Sequence, residues 1–271
     1  MTPPAPPSPD ESRPVGLIGG SGLYSFVPDA EQVTVETPYG APSAPVGVGT
    51  VGGRRVAFLP RHGTAHEHPP HALNYRANLW ALASLGVRQV VAACAVGGLR
   101  PATPPGTFVV PDQLVDRTSG RVQTYVERGA VHVPFADPYC PELRTALLHP
   151  DPGTVDGGTM VVIEGPRFST RAESRWYAAQ GWTLVGMTGH PEAVLARELG
   201  LCYATIALVT DLDAGLTETE AVDQATVLAV FAANTDRLRG HLATALGSVT
   251  GPTACRCRSW QDDVTLTFDL P

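Results

Sequence analysis

No apolar run in this chain reaches the ~18 residues that a membrane-spanning helix needs. Nor does the start carry an apolar signal segment: the first thirteen residues, MTPPAPPSPDESR, hold five prolines and no apolar stretch. Residues 1–13 read as a disordered, proline-rich leader, and a cytoplasmic protein is expected, with no membrane partner. Basic charge is also short. Nineteen Lys and Arg stand against 26 Asp and Glu, a net charge of −7. That balance argues against a nucleic-acid partner, although one small anion can still find a local basic pocket. Cysteines are few, odd in number and widely spaced: Cys94, Cys140, Cys202, Cys255 and Cys257. They do not form the framework of a disulfide-rich secreted domain. Cys94 and Cys202 sit in apolar, strand-like runs and read as buried free thiols. Cys255 and Cys257 are either a strained redox pair or two tail thiols.

Familiar catalytic motifs are missing as well. There is no H-E-x-x-H. The histidine-rich loop of His62, His66, His68 and His71 is interrupted by Pro69 and Pro70, and no acidic or cysteine ligand pattern accompanies it. It reads as a polar loop with one or two functional histidines, and no metal is expected. Gly19-Gly20-Ser21-Gly22 follows a first short strand, as a backbone anion cradle does. A nicotinamide fingerprint would need glycine at position 25, which is Ser25. No covalent-nucleophile motif and no internal repeat are visible.

What is present is a chain of 271 residues, 43% hydrophobic and 17% charged, enough to bury a sizeable core. Strands are expected at 15–18, 46–51, 55–59, 89–96, 108–115, 159–163, 183–187 and 202–209. Gly52-Gly53 reads as a hairpin turn. Helices are expected at 73–85, from Thr170 with Glu173 completing a capping box, from Pro191, and over 221–246. The last should pack Val227, Leu228, Phe231, Leu238, Leu242 and Leu246 on one face. Residues 118–138 are irregular, long for a compact domain, and such loops are often functional. Alternating strands and helices predict a single α/β domain over 14–250. Its sheet is mostly parallel, twisted and flanked by helices, and a tail follows at 251–271.

Three strand-like runs, MVVIEGPRFSTRAE, GMTGHPEAVLARE and ALVTDLD, end in polar clusters, as strands do at the ligand edge of an open α/β sheet. Ser21, Arg61, His62 and Thr188 suggest an oxyanion site, with arginine offering a bidentate fork. Asp211 and Asp213, two positions apart, share a strand face. A carboxyl there, if largely dry, has its pKa raised enough to act as an acid near neutral pH. Their plainer reading is a solvated strand end or a helix cap.

Seven motifs in order, GLIGGSGLY, PRHG, NYRANLWAL, HVPFADPYCP, IEGPRFSTRAES, MTGHPEAVLARE and VTDLD, make residues 15–246 resemble the trimeric purine nucleoside phosphorylases. Within that family the S-methyl-5'-thioadenosine branch is the most similar. The resemblance implies phosphate contacts at Ser21, Arg61, His62, Thr188 and the backbone near Ala95. It implies ribose contacts at Met187, His66 and His132, and base contacts at Phe168, Ser169, Asp211 and Asp213. Asp211 would be the catalytic acid. Gln224, Val227 and Leu228 would line the 5' pocket. The partners implied are a small nucleoside and phosphate, the latter a co-substrate, with no cofactor. His132 would come from a neighbouring subunit, implying a homotrimer or a dimer of such trimers. Cys94 stands where close relatives carry threonine, and a thiol is the weaker donor. Gln224 stands where they carry an apolar residue, leaving a 5'-hydroxyl purine nucleoside as the alternative substrate. A hydrolase of the same substrate and a nonenzymatic nucleoside-binding module are the remaining readings.

Overall fold

The computed structural model describes residues 13–20, 22–23, 26–214, 222–251 and 255–271. In chain order the strands and helices are β1 (Val15–Gly19), β2 (Glu31–Val33), β3 (Val46–Val51), β4 (Arg54–Pro60), α1 (Tyr75–Ser84), β5 (Gln89–Gly98), β6 (Phe108–Val110) and β7 (Gln113–Arg117). Then follow α2 (Pro141–Leu148), β8 (Val155–Asp156), β9 (Thr159–Ile163), α3 (Arg171–Ala179), β10 (Leu184–Gly186), α4 (Gly189–Glu198), β11 (Cys202–Leu212) and α5 (Gln224–Ser248). Together they form a single-domain α/β fold around one sheet.

That sheet runs β2-β3-β4-β1-β5-β10-β9-β7, and β11 lies along β5 with β6 and β8 beyond it. The parallel pairs β4-β1-β5-β11 form its centre. Antiparallel pairing enters at the β2-β3-β4 hairpins, at β5-β10 and at β11-β6, so the sheet is mixed. β5 is the shared strand, and its apolar run explains why. Val91 and Ala93 pack into a core beneath α2 and α5, while Val90 and Ala92 pack into a second core beneath α1 and α4. A strand buried on both faces reads as continuous hydrophobicity.

Several local expectations hold for visible reasons. Gly52 and Gly53 both take positive φ, as the tight hairpin turn requires. Thr170 caps α3 through a full capping box with Glu173. Three expectations need correction. The run 108–115 is two strands, because Pro111 interrupts it and cannot donate to a ladder. β6 then pairs with β11 and β7 with β9, in different parts of the sheet. α1 begins at Tyr75 rather than 73, since the Asn74 side chain accepts from the Ala77 N–H and caps it. In α5 the buried stripe starts at Phe231, with Leu238, Leu242 and Leu246, whereas Leu228 is 47% exposed. Its first turns stand off the core. Positions 1–12 of the expected leader, and Ala221 at the expected start of α5, lie outside the described residues.

After α5 the chain returns over the body. The Trp260 indole N–H donates to the Arg197 carbonyl at 3.1 Å and the Gln261 amide to that of Glu198 at 2.9 Å. No helix among the described residues is long and apolar enough to cross a membrane.

Candidate active site

The carboxyl ends of β1, β4, β5, β9, β10 and β11 converge on one cleft of about 450 Å³. Arg61 enters it directly from β4 and is only 2% exposed. Its Nε and Nη2 donate to the two carboxylate oxygens of Glu192, at 2.5 and 3.1 Å, and its Nη1 to the Ala93 carbonyl at 2.9 Å. Tyr203 donates its hydroxyl to the same Glu192 at 2.8 Å. Burial works against the arginine's charge, but the Glu192 carboxylate outweighs it and holds the pKa above the ordinary value. Arg61 is therefore a permanently charged, immobile fork on the cleft wall.

His62 follows it. Its Nδ1 lies 2.8 Å from the His68 carbonyl, which can only accept, so Nδ1 carries the proton. Burial first, and the Arg61 charge second, push its pKa down to about 4. His62 is thus neutral, with Nε2 an acceptor. His66 stacks against it at 4.6 Å between ring centroids. These two are the histidines of the loop that reach the cleft. Ala95 and Thr188 line it as well, and so does Cys94. Burial pushes the Cys94 thiol up to about 12, so it stays protonated. Ser21 lies outside the described residues.

Asp211 and Asp213 both face the cleft from the end of β11. The register slips between Val209 and Asp211 against β5, and Asp213 ties its amide to the Gly98 carbonyl at 3.0 Å. Gly97 permits this approach. A Cβ there would sit 2.9 Å from Val185 Cγ1, 3.2 Å from Asp211 Oδ1 and 3.2 Å from Asp213 Cβ. Burial lifts the Asp211 pKa to about 6, against a 2.8 Å hydrogen bond from the Thr210 hydroxyl and with help from the Asp213 charge. Burial also raises Asp213, while the Ser174 hydroxyl, at 2.5 Å, pulls it down. Both carboxyls are pushed up by burial: Asp211, at about 6, is poised to carry a proton, and Asp213 is held in place by the Ser174 hydroxyl.

Phe168, Ser169 and Met187 line the cleft, as do Gln224, Val227 and Leu228 from the first turn and a half of α5. The partial exposure of that helix start suits a pocket wall better than a core stripe. His132 is exposed and is not part of the cleft wall of its own chain.

Four residues without an assigned role prove central. Glu192, inside MTGHPEAVLARE, is a buried carboxylate whose partner lies 131 positions away. Ser174 and Thr210 set the two aspartates. Arg121, from the irregular 118–138 segment, donates to the carbonyls of Met187 (2.8 Å), His190 (2.7 Å), Ile163 (3.3 Å) and Glu164 (2.6 Å). It thereby ties the ends of β9 and β10 and the start of α4 to one buried cation. The length of the segment was the available signal. Arg121→Met should lower stability by about 3–5 kcal/mol, read as a reduced urea midpoint with unchanged slope.

The Phosphorylase superfamily description matches residues 14–247 of the chain. The chain is 60% identical over 258 residues to the S-methyl-5'-thioadenosine phosphorylase of Mycolicibacterium smegmatis, covering 95% of this chain and 99% of that protein. It is 58% identical over 258 residues to a purine nucleoside phosphorylase of Streptomyces coelicolor, covering 90% and 92%. Its fold superposes with a TM-score of 0.84 on a crystal structure of methylthioadenosine phosphorylase sourced from an Antarctic soil metagenomic library. That pair is 40% identical, with 92% of this chain and 91% of that one covered.

Proposed function

The chain belongs to the phosphorylase superfamily, and from that premise we propose that it cleaves the N-glycosidic bond of 5'-methylthioadenosine, or a close 5'-deoxyadenosine analogue, with inorganic phosphate. The products are adenine and the 5-substituted ribose 1-phosphate. The observation that carries this reading is one cleft holding both a locked arginine and a carboxyl whose pKa is lifted to about 6.

In this reading phosphate is held by Arg61, Thr188 and the backbone near Ala95, with Ser21 joining them and neutral His62 accepting from a protonated phosphate oxygen. Bond cleavage builds positive charge on the ribose, as in glycoside hydrolysis. The bound anion stabilises that charge electrostatically. Adenine leaves as a neutral base when Asp211 protonates N7, and the acid's raised pKa makes the proton available. Asp213 accepts from the 6-amino group, Phe168 and Ser169 hold the base, and Met187 lies under the ribose. No step calls for a cofactor. His66 meets the 5' end of the sugar together with His132 donated by a neighbouring subunit, so the active assembly is a homotrimer. The exposure of His132 on its own chain supports that arrangement. A cytoplasmic location belongs to the same proposal, in keeping with a chain whose described helices are not membrane-spanning.

A second reading, a general purine nucleoside phosphorylase, is favoured by Gln224 on the cleft wall and by the name of the Streptomyces coelicolor relative. A panel of methylthioadenosine, adenosine and inosine, each with and without phosphate, separates them. Phosphate-dependent adenine release is expected, with kcat/KM for methylthioadenosine at least ~10²-fold above inosine, because a 6-oxo group sets acceptor against acceptor at Asp213. Equal turnover of inosine would support the second reading. Release without phosphate would show a hydrolase, and binding without turnover a nucleoside-binding module.

A further inference from the structure

Cys140, Cys202, Cys255 and Cys257 come from three separate stretches of chain, and their sulfurs all lie within 4.8 Å of one another. Cys140 directly precedes α2, and its amide donates to the Tyr203 carbonyl at 2.7 Å. Cys202 is the first residue of β11. Cys255 and Cys257 belong to the returning tail. Cys140, Cys202 and Cys257 are buried, at 0, 3 and 5% exposure. Cys202 and Cys255 are the pair at 3.3 Å. None of this is used by the cleft, which lies at the other end of β11, about 30 Å along the strand.

We propose that these four cysteines form a structural zinc site that fastens the C-terminal tail to the amino edge of the sheet. Four thiolates around Zn²⁺ at ~2.3 Å stand about 3.8 Å apart along each edge of the tetrahedron, which fits the mutual spacing here. A set of four soft ligands with no open position suits zinc held for structure rather than chemistry. Disulfides would join the sulfurs only in twos, whereas one tetrahedral ion uses all four in a single geometry. The surroundings fix the ligands: the Cys255 amide donates to the Glu142 carboxylate at 3.0 Å, and Cys140 is pinned by Tyr203. On binding, the thiols lose their protons to solvent and the ion takes their place. Beyond the site the tail continues to Trp260 and Gln261, so the same ion holds the segment that covers the end of α4.

Elemental analysis of the full chain, purified without chelator, tests this. About one zinc per chain is expected. A mercurial thiol reagent should release it, read with a chromophoric chelator, as these four thiols react. Cys255→Ser/Cys257→Ser should lose the zinc and show a lower Tm while keeping phosphorolysis at room temperature. Zinc well below one equivalent, or disulfides among these cysteines in non-reduced peptide maps, would overturn the proposal. If the double variant does not fold, the metal content and thiol-release stoichiometry of the unaltered protein still decide.

Discussion

Asp211→Asn should lower kcat by about 10²–10⁴-fold while leaving the KM for the nucleoside nearly unchanged. The asparagine keeps the shape and polarity of the side chain but has no proton to give. In the unaltered enzyme kcat/KM should fall as pH rises through about 6, where Asp211 loses its proton. That limb should be absent from the variant. Stability should move the opposite way. The folded chain holds the Asp211 proton more tightly than the unfolded chain, with pKa values of about 6 and 3.8. The carboxyl therefore favours the fold below pH 4, and that contribution is lost as pH rises through 6. At neutral pH the buried charge costs about 1–3 kcal/mol, which the asparagine removes. A variant slower in turnover yet higher in Tm at pH 7, with the Tm difference vanishing near pH 4, is the expected pair of results. Unchanged kcat would show that Asp211 is not the acid.

Arg61→Met should raise the KM for phosphate by at least ~10²-fold and destabilise the chain by about 3–5 kcal/mol. The second effect arises because Glu192, 1% exposed, would be left as a buried charge without its cation. The two effects can be parted. Arg61→Met/Glu192→Leu replaces both ions with apolar groups and should recover most of the lost stability. It should recover none of the phosphate affinity. Denaturant midpoints and phosphate saturation curves on the two variants provide the check. Recovery of both together would mean that Arg61 acts only through the fold.

Features set by neighbours in the chain were legible in the sequence. The glycine pair at 52–53, the Thr170 capping box and the polar clusters at strand ends announce themselves within a few residues. The raised pKa of Asp211 was legible only as one of two readings, since a carboxyl at the end of an apolar strand is either solvated or drawn into a dry cleft, and its burial decides between them. What escaped depends on distant partners. Glu192 looks like an ordinary helix-start carboxylate until Arg61 meets it. Arg121 sits in a stretch without periodicity, and its four carbonyl acceptors come from two strand ends and a helix start. Cys140 and Cys202 gave no hint of meeting Cys255 and Cys257, because only the crossing of α2, β11 and the tail unites them. The apolar stripe drawn along α5 was too long. Hydrophobicity alone does not separate a residue on a core from one on a pocket wall, and Leu228 is the latter.

Glu192 cancels the charge of Arg61, and His62 carries none, so this end of the cleft is close to electroneutral. In the proposed reading, an anion there would be held by the direction of N–H and O–H dipoles more than by net attraction. Short, directed contacts in a buried setting are little screened by added salt. In the proposed reaction the sugar phosphate would meet no surplus positive charge there to retain it. With Arg61 locked and neutralised in this way, weak inhibition by the sugar phosphate is the expected result in product-inhibition assays.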